Sequence, residues 1–130
     1  MKGVLFLCVH NAGRSQMAAG FMRALGAGRV QVFSAGSEPA SLLNPVAVAA
    51  MSEVGIDISS AQPVRWTMEM LHAVDVVVTM GCGDACPYIP DKQYIDWPIP
   101  DPAGKDILVV RQIRDEIRML VEQLIAQLIV

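Results

Sequence analysis

Two kinds of apolar pattern alternate along the chain. Gly3 to Leu7 is a short unbroken apolar run without polar alternation, the mark of a strand covered on both faces. In Ser15 to Leu25, Met17, Ala18, Phe21, Met22 and Leu25 recur at helical spacing until Gly26 and Gly28 end the pattern. Val30 to Phe33 is predicted as a second strand, closed by Ser34-Ala35-Gly36. A second helix is expected over Pro45 to Val54, with Asn44 as its cap, proline in its first turn and Gly55 past its end. A short third helix, Trp66 to Ala73, precedes another apolar strand, Val74 to Thr79, and Tyr94 to Trp97 reads as a weak edge strand. From about Ile107 to Leu128, one stripe carries Ile113, Ile117, Leu120, Val121, Leu124 and Leu128, and the other face Arg111, Arg114, Asp115, Arg118 and Glu122. This is an amphipathic helix laid on a sheet; its mixed charges argue against a lipid-surface helix.

Strands alternating with helices predict an α/β fold: a small parallel, flavodoxin-like sheet of about four strands with helices on both faces. Such sheets bind ligands beyond the carboxyl ends of their strands. Cys8 and Met80-Gly81-Cys82 each follow an apolar strand, which puts both cysteines on that edge. At 130 residues the chain suits one domain, 1–130, expected as a monomer. Hydrophobic residues make up 53% of it, which argues against disorder, and a net charge of −3 gives no global attraction for nucleic acid or anionic membrane. No apolar run reaches the roughly 18 residues of a membrane span. The apolar start is only strand-length and runs into His10 and Asn11, unlike a signal peptide, so a cytoplasmic protein is expected. Three cysteines in that compartment point to catalysis or metal binding rather than a disulfide framework.

The chemistry concentrates in Cys8-Val9-His10-Asn11-Ala12-Gly13-Arg14-Ser15. A loop turning from a strand into a helix points backbone N–H groups inward, and the helix adds the positive end of its dipole. An oxyanion of phosphate size fits such a cradle, held by the loop from Val9 to Ser15. Arg14 can clamp two of its oxygens in a fork. The same donors favour the thiolate of Cys8 as a nucleophile. Ser15 can hydrogen-bond that sulfur, and Asn11 can hold the curl of the loop through its amide. The Cys-x5-Arg spacing alone also occurs in ordinary turns around buried cysteines; its position between a strand and a helix is what gives it weight.

His10 reads as a solvent-facing turn member rather than a base, and His72 as a dipole partner at a helix end. Asp101-Pro102-Ala103-Gly104 follows the Pro-rich stretch Trp97-Pro98-Ile99-Pro100, long enough to fold back over the sheet edge. Asp-Pro alone is an ordinary turn start, but an aspartate held over an oxyanion can protonate a leaving oxygen.

Together, the Cys8 loop, Ser34-Ala35-Gly36, Asn44-Pro45 through Glu53-Val54-Gly55-Ile56-Asp57, and Asp101-Pro102 resemble the low-molecular-weight tyrosine phosphatase superfamily. Within it, Arg14-Ser15-Gln16-Met17-Ala18, Asp101-Pro102-Ala103-Gly104 and Arg114-Asp115-Glu116-Ile117 are similar to the thiol-dependent arsenate reductases. The resemblance covers nearly the whole chain. It implies a phosphatase-type oxyanion loop after the first strand, Cys8 as nucleophile, Arg14 as clamp, Asn11 and Ser15 as supports and Asp101 as general acid. Arsenate is then the substrate, with phosphate or sulfate as analogues. Ala19 stands where some thioredoxin-linked members carry a potassium-binding glutamate, so that ligand is missing.

The other cysteines bear on phosphatase against reductase. A phosphatase needs one; reducing arsenate takes two electrons, which Cys82 and Cys86 could supply. Spaced by four, they share a face if that segment is helical, and Gly81 and Gly83 lend it mobility. The expected relay runs Cys8, Cys82, Cys86, with final reduction by thioredoxin and no bound cofactor. Zinc would want about four ligands, and no second pair exists at ligand spacing, so no metal is expected. The alternatives are a mycothiol- or glutathione-linked arsenate transferase working with a small redoxin, a tyrosine phosphatase, or a non-catalytic arsenic-binding protein. Aromatic residues are only 5% of the chain, which gives few candidates beyond Tyr88 for the wall a phosphatase stacks on a phenol ring.

Overall fold

The structure, a computed structural model, describes residues 1–81 and 87–129. Its elements follow the order β1 (Lys2–Cys8), α1 (Arg14–Gly26), β2 (Val30–Gly36), α2 (Pro45–Ser52), α3 (Met68–Ala73), β3 (Val76–Thr79), β4 (Gln93–Asp96) and α4 (Ile107–Leu128). The four strands form one sheet in the order β2-β1-β3-β4, with every pair parallel. This is the predicted α/β class, with β1 central and its carboxyl end beside those of β2 and β3.

Alternation along β1 sorts its side chains onto two faces. Val4, Phe6 and Cys8 enter the larger core with Met17, Phe21 and Met22 of α1, Met51 of α2 and Ile113, Ile117 and Val121 of α4. Leu5 and Leu7 enter a smaller cluster with Ala35, Leu71, Val74 and Val77, to which α3 contributes. Helices therefore cover both faces, thickly on one and thinly on the other. Each fully buried Leu, Phe or Met contributes roughly 1.5–3 kcal/mol. Ala19 is fully buried in the larger core and brings no ligand to any cation.

Several boundaries differ from those predicted. β1 includes Cys8, because Cys8 pairs with Gly36 at the end of an unbroken ladder. The same ladder carries β2 past Phe33, since the polarity of Ser34 does not interrupt backbone pairing. β3 starts only at Val76, and Asp75 instead accepts a hydrogen bond from the Gly3 N–H at 2.8 Å. α3 starts at Met68 behind a Thr67 cap, while Trp66 stays outside it and donates its N–H to the Gly36 carbonyl. α2 ends at Ser52, with Asn44 accepting from the N–H groups of Val46 and Ala47 at its start. The β4 strand ends one residue before Trp97, which is itself buried.

Arg114 departs furthest from its predicted place. Assigned by pattern to the polar face of α4, it is only 8% exposed. α2 has no basic residue in its last turn, so the orphan carbonyls there need an outside donor. Arg114 donates to Ala50 O at 2.9 Å and to Glu53 at 2.8 Å, while its Nε holds Asp115 at 2.8 Å. Arg111 grips the same Glu53 with its guanidinium, at 3.0 and 2.7 Å. These bonds, Arg111's first, lower the Glu53 carboxyl from its ordinary 4.5 to about 2. The stabilisation is therefore fully present above pH 4.5 and is lost as pH falls through about 2. Glu53→Gln should lower the urea midpoint at neutral pH, and the gap to the parent protein should close on acidification across that window. A gap independent of pH would show that charge at Glu53 does not join α2 to α4.

Candidate functional site

Cys8 ends β1 and is 2% exposed, its side chain turned by strand alternation toward α1. Its sulfur lies 2.9 Å from Ser15 Oγ and 3.3 Å from the Asn11 N–H that donates to it. The Asn11 amide donates to Ser15 Oγ at 2.6 Å, leaving the serine proton free to point at the sulfur. Asn11 takes a left-handed conformation, φ 51°, in which asparagine costs little. Its side-chain carbonyl fixes the turn by accepting from the Val64 N–H at 2.9 Å and from Gln16 Nε2 at 3.1 Å.

The carbonyls of the loop are all engaged on its outside. Those of Cys8, Val9, His10 and Ala12 accept from the N–H groups of Ser37, Glu38, Ala40 and Asn44, and that of Asn11 from Gln16. With the oxygens held outward, the loop's N–H groups are left for its concave side. α1 begins there, and unlike α2, α3 and α4 it has no side-chain cap. An uncapped helix start with free N–H groups suits an anion.

Arg14, the first residue of α1, is 8% exposed. Its Nη1 donates to Ile99 O at 3.2 Å, and its Nη2 stands 3.8 Å from Asp101 Oδ2. Asp101 Oδ1 accepts from the Ala103 N–H at 3.0 Å, which pins the turn and leaves Oδ2 facing Arg14. Pro102 packs so closely on Gly13 that a Cβ there would lie 2.7 Å from its ring. The Pro-rich stretch thus folds back over the sheet edge as its length suggested.

A cavity of about 50 Å³ is lined by Cys8, His10, Ala12, Gly13, Arg14, Asn44, Asp101, Pro102 and Ala103. That is roughly three or four water-sized spheres, the scale of a small oxyanion. No Phe, Tyr or Trp is among these lining residues; Tyr88 is 70% exposed and packs on Tyr94 instead. A far larger groove, about 750 Å³, runs behind the loop past Arg23, Phe33 and Asp57. It holds neither Cys8 nor Arg14, so chemistry belongs to the small cavity.

Of the residues expected to line the oxyanion site, His10, Ala12, Gly13 and Arg14 border the cavity, whereas Asn11 and Ser15 support it from behind. Val9 packs toward the smaller core cluster on the opposite face. His10 is exposed, its Nδ1 near Glu38 O, and His72 falls in the last turn of α3. Cys82 and Cys86 lie outside the described residues. Among the described residues, no group of three His, Cys, Asp or Glu gathers as a metal site. Sequence reasoning missed Gln16, the Ile99 carbonyl and the role of Gly36. The clue for Gly36 was its place in Ser34-Ala35-Gly36; a Cβ there would meet Val9 O at 2.5 Å.

Comparison with known proteins places these features in context. The profile of the low molecular weight phosphotyrosine protein phosphatases matches residues 3–129. A glutaredoxin arsenate reductase of Synechocystis sp. is 42% identical over 98% of this chain and 99% of its own length. Arsenate reductase 1 of Staphylococcus epidermidis is 42% identical over 93% of each chain. The structure of a thioredoxin-dependent arsenate reductase of Corynebacterium glutamicum superposes with a TM-score of 0.83 at 43% identity, over 95% of this chain and 60% of that one.

Gly36→Ala tests how the loop is built. Wedging a methyl against Val9 O should cost about 1–3 kcal/mol of stability. It should also weaken phosphate binding by about tenfold or more, as the outward carbonyl bonds are strained. Urea unfolding and calorimetric titration with phosphate measure the two; unchanged phosphate affinity would show that this packing does not shape the cradle.

Proposed function

The chain belongs to the low molecular weight phosphotyrosine protein phosphatase family, and within it we propose an arsenate reductase that works by a three-cysteine relay and is recharged by a thioredoxin-type dithiol. The observation that carries this reading is the adjacency of two strand exits. The Met80 N–H donates to Leu7 O at 2.8 Å, so the chain leading into Cys82 leaves the sheet beside Cys8. The small cavity without a phenol wall favours an inorganic oxyanion over a phosphotyrosyl side chain. The names of the relatives point the same way.

In the first step the Cys8 thiolate attacks arsenic(V), held by the loop N–H groups and the Arg14 fork. Asp101 delivers a proton to the departing oxygen, which leaves as water. Cys82 then attacks the Cys8 sulfur. The sulfur–arsenic bond breaks with its electron pair going to arsenic, so arsenite departs as a Cys8–Cys82 disulfide forms. Attack of Cys86 on Cys82 frees the Cys8 thiolate and moves the disulfide to Cys82–Cys86. An external dithiol reduces that bond and restores the enzyme.

Purified protein should reduce arsenate when coupled to a thioredoxin system, and Cys8→Ser should abolish the activity. Cys86→Ser should complete one turnover and stall as a Cys8–Cys82 disulfide, identified by mass spectrometry. Cys82→Ser should stall earlier, with arsenic still on Cys8. Multiple turnover by both variants would eliminate the relay. Turnover only with glutaredoxin or mycothiol would reassign the donor, and no reduction with any donor would end the reductase reading.

Binding and acid catalysis should separate. Arg14→Lys keeps the charge but loses the fork, so phosphate binding should fall by about tenfold or more. Asp101→Asn should retain phosphate binding and slow turnover by about a hundredfold or more. Equal losses of binding in the two variants would remove Asp101 from the acid role.

A further inference from the structure

Gly81 is the last described residue before Cys82, and it combines two constraints that no other described glycine shares. Its φ is +82°, a conformation L side chains rarely adopt. A Cβ built on it would lie 2.5 Å from Arg14 Nη1, 3.4 Å from Cζ and 3.6 Å from Nη2. Gly28, Gly55 and Gly104 also have positive φ, yet nothing lies within 4 Å of a Cβ at any of them. Those three are turn glycines. Gly81 is in addition a place of close approach, and what approaches is the guanidinium of the oxyanion clamp. The sequence suggested mobility for Gly81; the close approach of Arg14 is a separate constraint on it.

Arg14 has little room to retreat. The residue is 8% exposed, its Nη1 is committed to Ile99 O at 3.2 Å, and Asp101 stands 3.8 Å from Nη2. Any L side chain at residue 81 must push the fork off Ile99 or turn it away from the cavity.

We propose that Gly81 is a positioning residue for Arg14, and that this contact couples oxyanion binding to the backbone one residue before Cys82. An oxyanion gripped by the fork fixes the guanidinium, and a fixed guanidinium narrows the conformations open to Gly81. By linkage, the conformation of Gly81 must affect oxyanion affinity in return. Oxyanion binding thus restricts Gly81, the residue through which the chain reaches Cys82. The coupling rests on the oxyanion-site reading of the Cys8 loop, and it gives the proposed relay a substrate-dependent start.

The test compares phosphate affinity in three full-length chains: the parent, Gly81→Ala, and a chain with D-alanine at residue 81. The last is assembled by ligation at the Gly81–Cys82 junction. D-alanine accepts positive φ and projects its methyl from the opposite side of Cα. Gly81→Ala should bind phosphate about tenfold or more weakly, and the D-alanine chain within about threefold of the parent. Unchanged affinity in Gly81→Ala, or an equal loss with D-alanine, would overturn the positioning role. If Gly81→Ala does not fold, the parent chain decides by NMR: its Gly81 amide resonance should titrate with phosphate at the affinity measured for Gly13. An unmoved Gly81 resonance refutes the coupling. None of these measurements uses arsenate turnover, so an inactive enzyme with intact coupling would count against the reductase reading alone.

Discussion

The site depends on one guanidinium. Arg14 begins α1, but it is held by the chain that follows β4, through the Ile99 carbonyl and Asp101, and is closely approached by Gly81 after β3. A buried arginine must have acceptors for its N–H groups, because an unmet charge in a dry site is costly. The Ile99 carbonyl takes one donor, and the carboxylate of Asp101 faces the side turned to the cavity. That arrangement holds a planar fork beside Cys8, where an oxyanion can accept two parallel bonds.

Around this clamp the loop follows a simple rule of polarity. Five consecutive carbonyls, from Cys8 to Ala12, find donors on the outside, four in the stretch from Ser37 to Asn44 and one in Gln16. Orienting the peptides this way directs their N–H ends to the other side, without any charged side chain beyond Arg14. The close approach of the 37–44 stretch requires Gly36, and the left-handed turn at Asn11 requires a residue that tolerates it. The loop between Cys8 and Arg14 is thus shaped largely by backbone bonding. The long-range parts, Asp101 and the chain into Cys82, approach from the neighbouring strands.

The same dependence of one element on another recurs on the thickly covered face of the sheet. α2 is short, and its end is completed by Arg114 of α4, with Glu53 shared between two arginines. That pairing anchors the helix whose start, at Asn44, also closes the cavity wall. Packing far from the cysteine therefore bears on the shape of the cradle.

Much of this was legible in the chain itself. Local rules sufficed for the alternation of strands and helices, the Asn44 cap, the parallel sheet and the loop that pairs Cys8 with Arg14, Asn11 and Ser15. Each depends on neighbours within about one helical turn or one strand. What the tertiary structure alone decided involves partners distant in sequence. The strand ladder put Cys8 inside β1 and carried β2 to Gly36, because pairing follows backbone register and not side-chain polarity. Arg114 left the polar face it shares by periodicity, because Ala50 and Glu53, some sixty residues away, offered acceptors. Gly81, read from the sequence as a source of mobility, was also found in close approach to Arg14. A period of hydrophobicity records which side of an element is buried; it carries no record of which polar group waits on the far side, and that is where the site was made.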